Sequence, residues 1–543
     1  MRGRSRAMAA AAGIIAVTLT AAACGGGGSS SSGNSGNTAN EITVRGCTPQ
    51  NPLVGGNTAE VCGGNMLDLI TRKLVHYNVD TAAPELDLAT AIDTKDNQHF
   101  DVKIQSGQKF SDGTPITAKS FVDAWNYTAY GPNGQQGSYF FEPIEGYAAT
   151  QCTDDECKAK PKAETLSGLK VKSDTEFTIT TSEKVSNLPV RLGYAAFSPQ
   201  PEAFFSNPDS YKTKPISSGP YQASSINDTD YVFTKNPNYQ GKWAGKTDKI
   251  DFRIYNDPSA AYTDVVANNL DVTDIIPPDQ LVGDQWKSDL DGRNGTKPQG
   301  VIQAFGFSPI DSQLKNVNLR HAISMAVDRA TIVKQIYNNT RTPADSFVSP
   351  VVQGYKAGAC GQYCEYNPTE AKALYAKSPG YKGTLTFAYN QDGGHGPMAT
   401  AVCNSIKNTL GIDCQPKSEP DFKTLRDQLN KRELKGIFRS GWQMDYPSIE
   451  NFLAPIYAKG AASNDTAYDN PKFDAKLAQA AAAPTEEEAN TLYQEAEQYL
   501  VQDMPAVPEW YDEAAYGWSN RVENVKTNAF GVIDYASITV KSS

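Results

Sequence analysis

The chain has 543 residues and a net charge of −11 at neutral pH; residues 1–23 hold three arginines and no acid, so the remainder carries −14. That acidic balance argues against nucleic acid and against a basic membrane-binding surface. Roughly 500 residues are too many for one simple core, so two or more domains are expected.

Arg2, Arg4 and Arg6 precede an apolar run with Ile14, Ile15, Val17 and Leu19, and Ala21-Ala22-Ala23 lead into Cys24. This is the layout of a secretory signal over residues 1–23, with small residues at the cut. A cysteine directly after them resembles a bacterial lipobox, in which the thiol takes a diacylglycerol and becomes the new N-terminus. Ala21 stands where leucine is commoner. Plain secretion and a membrane span are the rival readings, and the run is short for a span. Gly25 to Asn40 holds no large apolar residue, so it cannot bury enough surface to fold. As a flexible coil it would reach about 20–24 Å. Residues 24–40 are therefore expected to be a lipidated cysteine and a tether. The folded body would sit on the extracytoplasmic face of a bacterial cell membrane.

Eight cysteines remain beyond Cys24, in sequence-close pairs. In an exported chain an even count suggests disulfides. The expected bridges are Cys47–Cys62, Cys152–Cys157, Cys360–Cys364 and Cys403–Cys414. None of these pairs has C-x2-C spacing and histidine is scarce, so a metal site is not expected.

Strand-like and helical stretches then alternate. Phe100 to Ile104 alternates at period two. Lys170–Lys172 and Glu176–Thr180 read as paired strands. Asp112-Gly113 marks a turn, followed by a helix with Phe121, Trp125 and Thr128 on one face. Leu319 to Tyr337 has a single apolar stripe and reads as one helix. Asn470-Pro471 and Thr485 to Glu488 open two further helices. The pattern establishes a mixed α/β protein.

Three stretches carry more. They are Phe110-Ser-Asp-Gly-Thr-Pro-Ile-Thr-Ala-Lys-Ser-Phe-Val-Asp-Ala-Trp125, Asn318-Leu-Arg-His-Ala-Ile-Ser-Met-Ala-Val-Asp-Arg329 and Gly441-Trp-Gln-Met-Asp-Tyr-Pro-Ser-Ile-Glu-Asn-Phe-Leu453. In this order, with Ser218-Gly219-Pro220-Tyr221, the chain resembles the family-5 solute-binding proteins of ABC importers, which include oligopeptide- and dipeptide-binding proteins. The resemblance implies a two-lobed periplasmic-binding-protein-like fold with a hinge and an inserted subdomain. By alignment, lobe I takes 41–75, 196–299 and 509–543, the insertion 76–195, and lobe II 300–508. A short peptide would be held between the lobes and passed to the transmembrane subunits of a permease, without a cofactor and as a monomer.

A peptide carrier needs fixed counter-charges for the termini once water is excluded. The resemblance assigns the α-ammonium to Asp445. Taken alone, an acid before Tyr446-Pro447 is an ordinary turn residue. Arg439 aligns with an arginine that can receive a peptide carboxylate, although a surface ion pair explains it equally well. His395 aligns roughly with a histidine used for longer peptides, and the helix start at Pro397 would favour an anion there. Tyr139, Phe305, Phe307 and Trp442 fall where the family lines its pocket, and such aromatics are as often core.

Catalysis is not expected, because G-x-S-x-G, H-E-x-x-H and Walker motifs are absent. Gly394-x-Gly396-x-x-Ala399 only loosely resembles a dinucleotide fingerprint. An oligosaccharide, a nickel complex or an opine remains an alternative cargo on the same fold. A surface signalling receptor without transport is the alternative role.

Overall fold

Two long antiparallel strands, Asn294–Phe307 and Ala506–Trp518, form the spine of an eleven-stranded sheet. The structure, a computed structural model, describes residues 40–541 apart from 50, 59–60, 155–156, 256, 392–393, 421 and 462. The signal-like segment, Cys24 and nearly all of the tether lie outside the described residues.

On one flank of the spine the order is Ile437–Gln443, Leu385–Asn390, Cys414–Glu419. The last two are parallel and joined by the helix Gly396–Leu410, which is the crossover that parallel strands require. On the other flank come Val272–Thr273, Glu41–Gly46, Lys249–Ile254, Asp230–Lys235 and Tyr221–Ile226. The spine strands are inner strands, so they bury both faces where the cores close over them. Gln303 to Phe307 are all buried for this reason.

Three main hydrophobic cores pack around this frame. One draws chiefly on residues 302–511. A second draws almost wholly on 74–197 and is centred on Phe100, Phe121, Trp125 and Phe177. A third combines 42–70, 221–272 and 514–538. The second core includes a separate four-stranded sheet holding His99–Ile104 beside Glu176–Thr180, which pairs with Leu169–Ser173. Against it lies the helix Ala118–Ala129, with Phe121, Trp125 and Thr128 buried. Trp125 also donates its indole N–H to the Phe197 carbonyl at 3.1 Å.

One expected element is corrected. Leu319–Tyr337 is two helices, Val317–Met325 and Arg329–Tyr337. Asp328 interrupts the run because its carboxylate accepts from the Thr331 N–H and caps the second helix. The helices at 471 and 486 start as the sequence indicates, with Asn470 and Thr485 as N-caps.

All four local disulfides are present, with Cα–Cα separations of 5.5, 5.0, 5.7 and 4.9 Å in chain order. Cys47–Cys62 ties the end of the strand Glu41–Gly46 to the first turn of the helix Val61–Ile70. Cys403–Cys414 ties the crossover helix to the strand that follows it.

Candidate functional site

A cavity of about 340 Å³ opens where distant stretches of chain converge. Its walls come from residues 58–87, 193–195, 220–243, 443–445 and 528–536. The volume suits a small solute.

One wall is the helix Val61–Ile70, held at its start by the Cys47–Cys62 bridge. Helical spacing brings Asn65, Asp68 and Leu69 to one side, and all three line the cavity. Just beyond, buried Arg72 donates to Asp87 from Nε at 3.0 Å and to Gln108 from Nη1 at 2.7 Å. Lys73 pairs with Asp68 at 3.0 Å.

The opposite wall is Gln443-Met444-Asp445, immediately after the strand Ile437–Gln443. The Met444 N–H still donates to the Gly300 carbonyl at 2.8 Å, which carries the pairing to the spine one residue further. Asp445 then turns under the control of Asn451, which is 1% exposed. The Asp445 N–H donates to Asn451 Oδ1 at 2.8 Å, and Asn451 Nδ2 donates to Asp445 Oδ2 at 3.2 Å. Trp442 Nε1 donates to the same Asn451 oxygen at 3.0 Å.

Among the described residues no cation lies within ion-pair distance of Asp445. Burial pushes its carboxyl up to about 6, and the charge of Glu450 adds to this; the Asn451 hydrogen bond and the Arg191 charge oppose it. Arg191 is committed elsewhere. It pairs with Glu450 at 3.2 Å and lies over the Tyr446 ring at 5.1 Å. Glu450 also accepts from Tyr446 at 2.7 Å and from Asn187 at 2.9 Å.

Tyr77 and Tyr194 line the same cavity as the acid. Tyr139 is 47% exposed and stacks on Phe140, which in turn packs on Tyr194. Burial raises the Tyr139 and Tyr77 hydroxyls, and the negative charge of Asp445 acts on both in the same direction. Tyr77 donates to the Val190 carbonyl at 2.7 Å and packs beside Phe530.

Of the residues singled out from sequence, Asp445 lies in the cavity wall and Tyr139 within its electrostatic reach. The others are placed elsewhere. Phe305 and Phe307 are corrected from wall to core: they are 0% and 4% exposed, and Phe305 packs against both Phe307 and Phe387. Trp442 is half-buried against that same core and acts on the site through Asn451. His395 sits at the start of the helix Gly396–Leu410, outside the cavity lining.

Arg439 also lies outside the lining. It donates to Gln303 Oε1 at 3.1 Å and belongs to a charged cluster with Arg329, Arg341, Glu509 and Asp512. Arg341 pairs with Asp512 at 3.1 Å. Glu509 is fully buried, and neither of its oxygens has a hydrogen-bond partner among the described residues. Burial pushes its carboxyl up to about 8 against the opposing arginines.

The sequence reading missed Asn65, Asp68, Tyr77, Asn451 and Asp534. Asn65 and Asp68 had a usable signal in their helical spacing just after Cys62. Asn451 stood inside the third motif, where its amide role was not visible.

A mixed α/β frame with a solute-sized cavity between sequence-distant walls suits a protein that takes up a small solute. The chain belongs to the bacterial extracellular solute-binding proteins, family 5, whose profile matches residues 83–464. It is 25% identical over 493 residues to the oligopeptide-binding protein OppA of Bacillus subtilis, covering 88% of each chain. To the periplasmic oligopeptide-binding protein OppA of Salmonella typhimurium it is 27% identical over 443 residues, covering 79% of each. The solved murein tripeptide binding protein MppA of Escherichia coli superposes with a TM-score of 0.75 at 21% identity, covering 93% of this chain and 99% of that one. The fold is accordingly two-lobed α/β.

Proposed function

We propose that this chain is the lipid-anchored, extracytoplasmic binding component of an ABC importer and that it captures short peptides between its lobes. The observation that carries the reading is Asp445: a half-buried carboxylate in the cavity wall, without an ion pair among the described residues. A carboxylate in such surroundings is costly unless a cation meets it. A peptide α-ammonium is a cation with hydrogen-bond donors, and it occurs on every unblocked peptide. The names of the curated relatives, oligopeptide-binding proteins, favour the same cargo.

Arg439 is the proposed partner of the peptide carboxylate. With Glu509 holding its proton near neutral pH, Arg329, Arg341 and Arg439 share the single negative charge of Asp512. That leaves surplus positive charge in a cluster whose Arg439 lies on the strand leading into the Asp445 wall. The division into lobe I, insertion and lobe II is supported by the three cores, which draw on nearly the same segments. Closure of the lobes would complete the burial of the ligand, to the extent that the ligand binds the closed state better.

Calorimetry with a series of free tripeptides tests the assignment. Asp445→Ala should weaken binding by about 2–5 kcal/mol. Unchanged affinity would remove Asp445 from the site. Anchoring through Cys24 has its own test: Cys24→Ala should release the protein from cells and abolish incorporation of a fatty-acid label.

A further inference from the structure

The cavity carries more negative charge than one ammonium needs. Four carboxylates line it, Asp68, Asp87, Asp445 and Asp534, against two side-chain cations, Arg72 and Lys73. Arg72 is committed to Asp87, with both side chains at most 5% exposed. Lys73 is committed to Asp68. Asp445 and Asp534 remain without an ion pair among the described residues, so the walls keep a net charge of −2.

Asp534 lines the cavity from the C-terminal return of the chain. Burial raises its carboxyl, and the charge of Asp68 adds to this, against a hydrogen bond from Ser537 and the charge of Lys526. Lys526 is 57% exposed and lies 3.5 Å from Asp80, so its charge is shared outside the cavity.

Asn65 points independently to the same wall. It is 6% exposed and lines the cavity. Its Nδ2 faces Asp274 Oδ2 at 3.4 Å, an acceptor, which fixes which end of the amide is oxygen. The remaining Oδ1 has no hydrogen-bond donor among the described residues. A buried acceptor left this way costs free energy until a donor arrives. Asn65 Oδ1 is therefore an unpaired acceptor beside the cavity that Asp68 and Asp534 also line. Among the described residues no group of three or more His, Cys, Asp or Glu side chains could hold a metal ion.

We propose that Asn65, Asp68 and Asp534 form a second cation subsite, and that the cargo is a peptide bearing a lysine- or arginine-like side chain near its amino terminus. The inference rests on the peptide reading of Asp445 given above. Tyr77 lines the same cavity as Asp445 and Asp68. Aromatic faces are available for an aliphatic stem. Tyr77 packs on Phe530 with ring centres 5.4 Å apart, and His76 stacks on Trp243 at 4.0 Å. A long basic side chain lays its methylenes on such surfaces and presents its charged head beyond them.

The test is calorimetry of the mature chain, stripped of bound ligand, with Lys-Ala-Ala, Ala-Lys-Ala and their norleucine counterparts. Norleucine keeps the stem and removes the charge. At one of the two positions the lysyl peptide should bind about tenfold more tightly, as expected for a charge-assisted hydrogen bond to a buried acceptor. Asp534→Asn should cut that lysine-to-norleucine ratio to about two or less. Norleucyl peptides binding as tightly as lysyl ones at both positions would overturn the proposal, as would a ratio that Asp534→Asn leaves intact. If none of the four peptides binds the wild-type chain, the peptide reading itself falls, and the second subsite with it.

Discussion

Asp445 and Asn451 hold one another by two reciprocal hydrogen bonds, backbone N–H to amide oxygen at 2.8 Å and amide nitrogen to carboxylate at 3.2 Å. Asn451 is thereby a positioning residue. Its amide fixes the turn of chain that presents the acid, and it ties that turn to the Trp442 indole.

Asn451→Ala should leave the Asp445 N–H and the Trp442 Nε1 unpaired in a part-buried setting, at a cost of about 1–3 kcal/mol in stability. Loss of general stability alone would not touch the titration of Asp445. Loss of the amide would, because its hydrogen bond is the leading influence that holds the carboxyl down. The pH midpoint of ligand binding should therefore rise in Asn451→Ala, measured by calorimetry across pH 5–8. An unmoved midpoint would reduce Asn451 to a packing residue.

Binding by the wild-type chain should itself depend on pH through Asp445. On the proposed reading a peptide ammonium needs the ionised acid, whose carboxyl is pushed up to about 6 in the free protein against an ordinary value of 3.8. Affinity should be flat from that point to about pH 7 and fall about tenfold per pH unit below it. The stability of the ligand-free fold runs the other way. A carboxyl raised on folding contributes stability that is fully present below about pH 4 and is lost as pH rises through about 6. Ligand-free Asp445→Asn should accordingly melt higher than wild type at pH 7.5 and no higher at pH 4.

How far the site was legible in the sequence differs residue by residue. Asp445 could be located because its whole segment matches a family pattern. The disulfides could be paired because each links cysteines at most 15 residues apart. Phe305 and Phe307 could not be told from wall residues. On an inner strand both faces are buried, so alternation no longer separates core from cleft. Asp534 carries no motif at all. It reaches the cavity only because the last stretch of chain returns beside the first strand and helix, a tertiary event that no local pattern encodes. The break at Asp328 was the opposite case: the capping aspartate was in view, and the continuous apolar stripe outweighed it.

The Cys47–Cys62 bridge closes a 15-residue span and fixes the start of the helix that carries Asn65 and Asp68. Replacing both cysteines with serine should cost about 3 kcal/mol by loop entropy, seen as a lower denaturation midpoint. The same change should weaken ligand binding, because the helix loses its anchor at the cavity wall. Cys360–Cys364 spans only four residues and lies away from the cavity lining. Its removal should lower stability without a matching loss of affinity, and comparing the two double variants by calorimetry separates anchoring from general stiffness.

Glu509 supplies the last prediction. It is fully buried on the spine strand, its oxygens have no hydrogen-bond partner among the described residues, and its carboxyl is pushed up to about 8. The unfolded chain ionises the same group near 4.5. Between those values the unfolded state sheds the proton and the folded state keeps it, so folding loses up to about 1.4 kcal/mol per pH unit. Thermal stability should decline from about pH 5 to pH 8, and Glu509→Gln, which keeps the shape without the titration, should flatten that decline. The variant also tests the carboxylate end of the site. If a neutral Glu509 is what leaves Arg439 free for a peptide terminus, Glu509→Gln should preserve peptide affinity at pH 7 and sustain it to higher pH than wild type. A variant that binds more weakly at pH 7 would show that the ionised glutamate is the form the arginines need.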